Sequence, residues 1–317
     1  MDILQKEKKL ERLEAELERL DDPKAKASIK ASIDEIKKEA MRQLSAWDRV
    51  LLARHSERPN FKEVIKGVFD DFIEFHGDRL YGDDEAISGG IAMLGEIPLT
   101  VIGHQKGHDT SENIRLNFGM AHPEGYRKAL RLMRQAEKFN RPIVTFIDTP
   151  GAYPGVGAEE RGQSEAIAHN LFEMSQFSVP IIAVILGEGG SGGALAIGYA
   201  NKLLMLENSI YSILSPEGYA SILWKDSKLH KKAAEVMKLT SYDLKEFNLA
   251  DGIIKEPPLG AHRDKQATFN AIRSALEEAL NPYESMSAYE IRTERYTKFR
   301  NTGFFQRFNY ENLKGVY

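Results

Sequence analysis

The first 44 residues carry apolar side chains at helical spacing within a strongly charged segment. Four leucines recur at steps of three and four residues: Leu10, Leu13, Leu17 and Leu20. A second apolar stripe runs from Ile29 to Leu44, and the break at Asp21–Pro23 combines helix-stop and helix-start residues. The pattern predicts two amphipathic helices in an antiparallel hairpin, which we define as the N-terminal helical arm, residues 1–44. Such an arm packs on its own domain or on a partner chain.

Beyond the arm, short apolar strands alternate with amphipathic helices. A third helix is predicted through Val64, Val68 and Phe72. Strands are then predicted at residues 87–94, 99–103, 143–147, 181–186, 203–206 and 210–214. Helices are predicted at residues 123–139, 158–177, 192–199, 216–224, 228–238 and 264–280. Continuous apolar strands that alternate with helices favour an α/β core with buried parallel strands, and we assign residues 45–290 to this domain.

The last 35 residues mix aromatic with basic side chains. Nine aromatic residues lie there, from Tyr283 to Tyr317, among arginines and lysines. Such alternation can bind single-stranded nucleic acid, but the acidic balance of the whole chain does not favour that function. We define residues 291–317 as an aromatic and basic C-terminal tail, and we expect it to dock on an apolar surface of this chain or of a second subunit.

Composition excludes several function classes. The 317 residues include 43 Lys and Arg against 47 Asp and Glu, a formal charge of -4, so no general nucleic-acid binding is expected. The chain has no cysteine, which excludes disulfides, a thiolate nucleophile and a cysteine zinc site within it. The longest apolar run, Pro180–Leu186, is too short to span a bilayer, and residues 1–20 lack the apolar core of a signal peptide. These features predict a soluble cytoplasmic protein without a membrane partner.

Two glycine-rich segments follow predicted strands and precede predicted helices. The first is Asp148–Gly155 and the second is Gly187–Ala194. Glycine lets another molecule approach the backbone closely. A strand–glycine–helix junction also directs free backbone N–H groups at one point, supported by the helix dipole. These segments therefore predict a site for a phosphate or an oxyanion.

Other motifs indicate their chemistry more weakly. The segment Gly187–Gly192 fits the G-x-G-x-x-G dinucleotide fingerprint, with Glu207 at a suitable distance, but the helix after it is short and rich in glycine and alanine. A nicotinamide-dependent oxidoreductase thus remains an alternative. There is no P-loop motif, and Lys238, in a sequence that resembles a biotin attachment site, is assigned to a helix C-terminus.

Histidine and serine show no recognisable metal or catalytic pattern. The eight histidines contain no H-E-x-x-H motif, and the H-x-x-x-H spacing of His104 and His108 does not lie in a predicted helix, so we expect no metal in this chain. His104 and His108 fall in a predicted loop, which is more typical of a loop that lines a site than of a metal centre. The segment Gly189–Gly193 fits the letters G-x-S-x-G around Ser191, but the glycine directly after the serine is not typical of a nucleophile elbow, and no histidine or aspartate is tied to Ser191, so a serine hydrolase is not indicated.

Several motifs occur in the order typical of one enzyme family. They are Gly103–Gly107, Phe118–Met120, Pro123–Leu130, Asp148–Gly155, Ala158–Gln163, Gly187–Gly198 and Ser215–Gly218. Together they closely resemble the alpha subunit of the bacterial acetyl-CoA carboxylase carboxyltransferase. The resemblance runs from the N-terminal helices to about residue 300 and is weak over residues 301–317.

The resemblance implies a crotonase-like α/β fold, a right-handed spiral of ββα units preceded by the helical arm. It implies transfer of a carboxyl group from carboxybiotin, held on a separate biotin carboxyl carrier protein, to acetyl-CoA. The product is malonyl-CoA, the first committed intermediate of fatty acid biosynthesis. A beta subunit that carries zinc is implied in an α2β2 assembly, together with a biotin carboxylase that uses ATP. Another acyl-CoA substrate and a non-enzymatic assembly subunit remain alternatives.

The resemblance also implies which backbone groups act. The family's oxyanion hole of peptide N–H groups maps to Gly192 and Gly193. The cleft for carboxybiotin and acetyl-CoA maps to seven further residues: Gly151, Ala152, Tyr153, Pro154, Gly189, Gly190 and Ser191. Two fixed amide donors would stabilise the charge that develops on the ureido oxygen of biotin, and the amides of Gly151 and Ala152 are the next candidates for this role. No side-chain base is required if the freed biotin nitrogen takes the methyl proton.

Overall fold

The computed structural model describes residues 3–42 and 44–303 of the chain. Its first part is a pair of helices, α1 (Ile3–Arg19) and α2 (Pro23–Arg42), as the apolar stripes predicted. Two salt bridges join these helices in antiparallel order: Lys6–Glu39 and Glu14–Lys37. The apolar face of the hairpin packs on its own domain, because Ile3, Leu10 and Ile33 form one buried cluster with residues of the core.

Eight strands in the described part of the chain form one mixed sheet. They are β1 (Asp70–Glu74), β2 (Ile87–Leu94), β3 (Ile97–His104), β4 (Ile143–Thr149), β5 (Ile181–Gly190), β6 (Lys202–Leu206), β7 (Ile210–Ser212) and β8 (Gly252–Ile254). The order across the sheet is β1-β2-β3-β4-β5-β6-β8, and β7 pairs with the end of β5. The strands β1, β2 and β3 pair antiparallel, whereas β3, β4, β5, β6 and β8 run parallel. The predicted α/β core with buried parallel strands is confirmed.

Helices cover both faces of this sheet. Beyond the hairpin they are α3 (Ala46–Ala53), α4 (Phe61–Val68), α5 (Thr110–Arg115), α6 (Pro123–Lys138), α7 (Val156–Glu160), α8 (Gln163–Gln176), α9 (Ser191–Gly198), α10 (Pro216–Trp224), α11 (His230–Met237), α12 (Ser241–Glu246), α13 (Lys265–Leu280) and α14 (Ala288–Arg300). On β4, Ile143 and Ile147 pack with α6, α8 and α9, while Val144 and Phe146 pack with α4 and α13. No helix within residues 3–42 and 44–303 has both the length and the apolar character needed to cross a membrane.

The helix predicted through Phe72 ends earlier than expected. Helix α4 stops at Val68, and Phe69 is extended, with φ -110° and ψ 156°. The next residues form the edge strand β1. Phe69 and Phe72 pack on the same core cluster as α4. Both side chains therefore contribute to the core, but Phe72 does so from strand β1 and not from a helix.

Two other boundaries differ from the sequence prediction. The helix predicted at residues 158–177 is two helices, because Gly162 between α7 and α8 adopts a left-handed φ of 84°. The second glycine-rich segment is not a turn over its whole length, since β5 continues to Gly190 and α9 begins at Ser191. Strand β5 therefore leads into α9 with no loop between them.

Helix α14 fixes the end of the described chain to the core. Arg295 is fully buried and donates hydrogen bonds to the carbonyl oxygens of Met174, Phe177 and Val179. Burial lowers the pKa of Arg295 to about 10. The first part of the predicted C-terminal tail is thus a packed helix, and its residues 304–317 lie outside the described residues.

Candidate active site

The two glycine-rich segments meet at the carboxyl ends of β4 and β5. A Cβ atom added at Gly190 would lie 2.1 Å from the carbonyl oxygen of Pro150. A Cβ added at Gly193 would lie 2.6 Å from the carbonyl carbon of Gly151 and 2.9 Å from the amide nitrogen of Ala152. The two backbones therefore touch, and a side chain at either glycine would push them apart.

The start of α9 offers backbone N–H groups that the helix itself does not use. The first amides of a helix have no acceptor in a preceding turn, and no side chain of the described residues caps α9. Ser191 has a φ of 48°, a left-handed conformation that costs a non-glycine residue about 1 kcal/mol. This sharp change of conformation carries the chain from β5 into α9. The amides of Gly192 and Gly193 consequently stand at the end of the sheet, beside the first segment.

Local hydrogen bonds hold the first segment in one conformation. The Gly151 amide donates to Thr149 Oγ1 at 3.1 Å, and Thr149 Oγ1 donates to the Gly151 carbonyl oxygen at 2.7 Å. The Tyr153 amide donates to a backbone carbonyl oxygen at 3.1 Å. Because the Gly151 and Tyr153 amides already have acceptors, Ala152 is the better candidate for a donor that acts together with Gly193.

The remaining cleft residues predicted from the sequence surround this contact. Gly189 lies in β5 opposite Tyr211, whose ring would be 2.8 Å from a Cβ at Gly189. The Tyr153 ring is half-buried and stacks on His122, with 4.1 Å between ring centroids, whereas Pro154 is exposed. The close backbone and ring contacts thus explain the glycines at positions 189 and 190 without any ligand.

A network of charged side chains lies next to the two segments. Lys106 Nζ donates to Asp148 Oδ1 at 2.8 Å and to Glu188 Oε2 at 3.0 Å. Arg54 donates to Glu188 Oε1 at 2.6 Å and to Glu217 Oε1 at 2.8 Å. Burial would raise the pKa of Glu188, but Lys106 and Arg54 outweigh burial and lower this pKa to about 2. Burial would lower the pKa of Lys106, and its two carboxylate partners raise it instead, so both groups are charged at neutral pH.

Two concave surfaces border the site. A cavity of about 420 Å³ adjoins the charged network, with Arg54, Lys106, Phe118, Pro150 and Glu188 among its lining residues. A shallower depression of about 310 Å³ lies at the start of α9, lined in part by Gly192, Leu195, Tyr211, Ile213 and Leu244. Leu195 is 44% exposed and Ile213 is 76% exposed. The site therefore has a charged cavity on one side and an open apolar surface on the other.

The described residues also contain one cluster of metal-ligand type that the histidine spacing did not indicate. Glu7, His55 and His262 bring their ligand atoms within 4.8 Å of one another. The Glu57 amide donates to His55 Nδ1 at 3.2 Å, which places the ring proton on Nε2, 3.2 Å from Glu7 Oε2. His262 Nε2 contacts the other oxygen of Glu7. With this tautomer the cluster is a hydrogen-bonded link between the arm and the domain.

The dinucleotide alternative does not fit this backbone. The fingerprint requires its glycines in the turn between a strand and a helix, whereas Gly187 and Gly189 lie within β5. Glu207, which would bind a ribose, instead accepts a hydrogen bond from Lys255 Nζ at 3.0 Å. Lys238 follows the end of α11, as its assignment to a helix C-terminus requires.

The sequence pattern did not indicate the charged residues of the site. Lys106, Asp148, Glu188 and Glu217 all lie within the motifs that carry the resemblance, but separate segments supply them and no fixed spacing connects them. The available signal was an ionisable residue at the end of an apolar strand: Asp148 directly follows its apolar run, and Glu188 follows its own run after one glycine. The prediction for His104 was wrong, because this residue lies fully buried in β3 and not in a loop.

Comparison with known proteins identifies the family. A family model described as acetyl co-enzyme A carboxylase carboxyltransferase-like matches residues 1–303. The acetyl-coenzyme A carboxylase carboxyl transferase subunit alpha of Clostridium botulinum (strain Eklund 17B / Type B) is 60% identical over 259 residues, which cover 82% of this chain and 94% of that protein. The subunit of the same name from Staphylococcus aureus (strain MRSA252) is 58% identical over 275 residues, which cover 87% of this chain and 88% of that protein.

Solved structures of lower identity support the fold. A chain of the transcarboxylase 12S hexamer aligns with a TM-score of 0.57 and 21% identity over 70% of this chain and 42% of its own length. A chain of a Pseudomonas malonate decarboxylase hetero-dimer aligns with a TM-score of 0.57 and 20% identity over 69% of this chain and 89% of its own length. These neighbours confirm the expected crotonase-like α/β fold. With the family model and the close relatives, they establish that the chain belongs to the family of acetyl-CoA carboxylase carboxyltransferase alpha subunits.

Proposed function

We propose that this chain works as the alpha subunit of an acetyl-CoA carboxylase carboxyltransferase and forms the carboxybiotin half of a shared active site. The observation that carries the proposal is the contact between the uncapped start of α9 and the Gly151–Ala152 segment. This contact brings Gly193 against Ala152 at the end of the sheet, and Gly192 precedes Gly193 on the same helix. The positive end of the α9 dipole lies behind them, which suits an oxygen that gains negative charge.

The chemistry requires that charge to be stabilised at one oxygen. When bound, carboxybiotin on its carrier protein would supply the carboxyl group, and negative charge would develop on the ureido oxygen as that group passes to the acyl-CoA. The Gly193 and Ala152 amides would donate hydrogen bonds to this oxygen, with Gly192 as a further donor. Because β5 and the Thr149 hydrogen bonds fix these amides in advance, little reorganisation is needed, and each such donor typically contributes a factor of about 10² to 10³ in rate.

The other half of the site is proposed to come from a beta subunit. The chain has no cysteine for the zinc centre that the resemblance implies, so we place zinc on that partner. The exposed side chains of Leu195 and Ile213 give the start of α9 an apolar surface that a partner can cover. We propose an α2β2 assembly in the cytoplasm that receives the biotin carboxyl carrier protein, binds acetyl-CoA mainly through the beta subunit, and leaves the ATP-dependent step to biotin carboxylase.

Reconstitution tests this function directly. The chain, the beta subunit and their mixture are assayed for malonyl-CoA formation with the carboxylated carrier, and for malonyl-CoA decarboxylation with free biotin. The mixture is expected to catalyse both reactions and the isolated chain neither. Full activity of the isolated chain would contradict the shared site. A mixture that uses only a longer acyl-CoA would assign the chain to a different acyl-CoA carboxylase.

A further inference from the structure

Lys106 connects three neighbouring strands at the end of the sheet where the proposed oxyanion site lies. It follows β3, and its ammonium group reaches Asp148 on β4 and Glu188 on β5. The Lys106 side chain is 18% exposed, and those of Asp148 and Glu188 are 8% and 11% exposed. Because the three groups are largely removed from water, their attraction is strong and the loss of one partner leaves an uncompensated charge.

The network spans the place where regular pairing between β4 and β5 is interrupted. Ile147 of β4 pairs with Ile185 of β5, and the next pair is Thr149 with Gly189. One residue of β4 therefore lies opposite three residues of β5. The Asp148 carboxylate fills this irregularity, since its Oδ1 accepts the Glu188 amide at 2.9 Å. A Cβ at Gly187 would lie 2.6 Å from the same oxygen, so the carboxylate rests directly on the β5 backbone. Bulges of this kind re-aim the chain next to active sites.

Along the chain, each of the same two carboxylates comes a few residues before one of the proposed amide donors. Asp148 precedes the Ala152 segment, and Glu188 precedes Gly193 at the start of α9. No side chain separates the two segments at Gly190, so their spacing depends on what holds the ends of β4 and β5 together. Without Lys106 the two carboxylates would repel each other. Arg54 would still pair with Glu188, and the carboxylate left without a cation would be that of Asp148.

We infer that Lys106 is a positioning residue, which holds Asp148 against Glu188 and thereby fixes the distance between the Ala152 and Gly193 amides. The inference rests on the proposed oxyanion site. Lys106 acts through the two strands and touches neither biotin nor the acyl-CoA. Because Lys106 also borders the 420 Å³ cavity, the competing role is direct binding of a substrate anion. A change at a second site separates these two roles.

The test uses the assembled complex with the beta subunit and measures biotin-dependent decarboxylation of malonyl-CoA. Lys106→Met removes the charge and keeps most of the aliphatic part of the side chain. Lys106→Met combined with Asp148→Asn also removes the unpaired carboxylate, and the asparagine oxygen can still accept the Glu188 amide. Lys66→Met, an exposed lysine on α4, is the matched control. Co-elution with the beta subunit checks assembly for every variant.

We expect kcat of Lys106→Met to fall by about 10²-fold, as for a reactive group misplaced by about 1 Å, with KM for malonyl-CoA changed less than about threefold. The double variant is expected to recover at least about tenfold in kcat, and Lys66→Met to match the parent protein. A raised KM without recovery in the double variant would mean direct substrate binding and would overturn the inference, as would a normal rate for Lys106→Met.

Two further comparisons keep the result unambiguous. If Lys106→Met does not assemble, the double variant alone distinguishes the two roles, because it also lacks the Lys106 cation. A positioning role predicts that the rate of the double variant lies within about tenfold of the parent. Direct substrate binding predicts a rate at least about 10²-fold below that of the parent. Gly193→Ala is measured in parallel. A normal rate there refutes the oxyanion site itself, whereas a low rate there with a normal Lys106→Met refutes only the role of Lys106.

Discussion

A single methyl group at Gly193 is expected to separate the two parts of the proposed oxyanion site. In Gly193→Ala the new Cβ would lie 2.6 Å from the carbonyl carbon of Gly151, 2.8 Å from its oxygen and 2.9 Å from the Ala152 nitrogen. Ordinary contact with a Cβ begins near 3.4 Å, and the atoms met here are backbone. The clash is relieved only if the start of α9 and the Gly151 segment move apart by about 0.8 Å, a displacement comparable to those that impair catalysis strongly.

The expected loss follows from that displacement. Removal of one fixed amide donor typically lowers the rate by about 10² to 10³, which corresponds to about 2.7 to 4 kcal/mol in the activation free energy. We therefore expect the kcat of the assembled Gly193→Ala protein to fall within that range. Gly192→Ala is expected to lose less than about tenfold, because its Cβ meets only the flexible end of Ile167, at 3.3 Å.

The assay is biotin-dependent decarboxylation of malonyl-CoA by the complex with the beta subunit, which isolates this half-site from biotin carboxylase. Gly198→Ala is the matched control, since it places the same methyl group on the same helix, 3.2 Å from the end of the Ile147 side chain and far from the donors. Thermal melting and co-elution with the partner show that each protein folds and assembles. A Gly193→Ala complex with a rate near that of Gly198→Ala would show that the contact between Gly193 and the Gly151 segment does not set the position of the donors.

The remaining predictions concern stability. Ser191→Gly is expected to raise the free energy of unfolding by about 1 kcal/mol, because glycine adopts the φ of 48° without strain, and a lower urea midpoint would contradict this. Burial would raise the pKa of Glu7, but hydrogen bonds with His262 and His55 lower it to about 2 from 4.5. The stability that Glu7 contributes is therefore present above about pH 4.5 and is lost as the pH falls toward 2. In Glu7→Gln the melting temperature is therefore expected to change less with pH over that interval. An unchanged profile would show that the link to the arm does not form. Arg295→Met removes the donors of three buried carbonyl groups and is expected to lower the free energy of unfolding by about 3 kcal/mol in urea, and a loss below about 1 kcal/mol would show that water replaces the guanidinium.

The sequence predicted those parts of the fold that burial alone determines. The apolar runs at 143–147 and 181–186 are strands because both faces of β4 and β5 are covered by helices. The glycines after residue 186 carry no apolar signal, and they extend β5 only because β4 and β7 pair with them. Likewise, Phe72 has a helical spacing from Val68, but pairing with β2 makes its segment an edge strand.

In the candidate site, too, the sequence predicted some residues and not others. Its glycines could be found because close backbone contact restricts the residue type locally, as at Gly190 and Gly193. The partners of Lys106 could not be found, because an ion pair across three strands depends on sheet order and on the interruption between β4 and β5. The link between Glu7 and two histidines is hidden for the same reason, since it joins the arm to residues far along the chain.

In the proposed oxyanion site, the amides of Gly193 and Ala152 hold the ureido oxygen of biotin. A structure of the complex with the beta subunit and bound biotin tests it most directly. We expect the ureido oxygen at about 2.7 to 3.1 Å from both amide nitrogens, at the start of α9. A biotin ring bound in an ordered pose with its ureido oxygen beyond hydrogen-bond distance of both amides would contradict it.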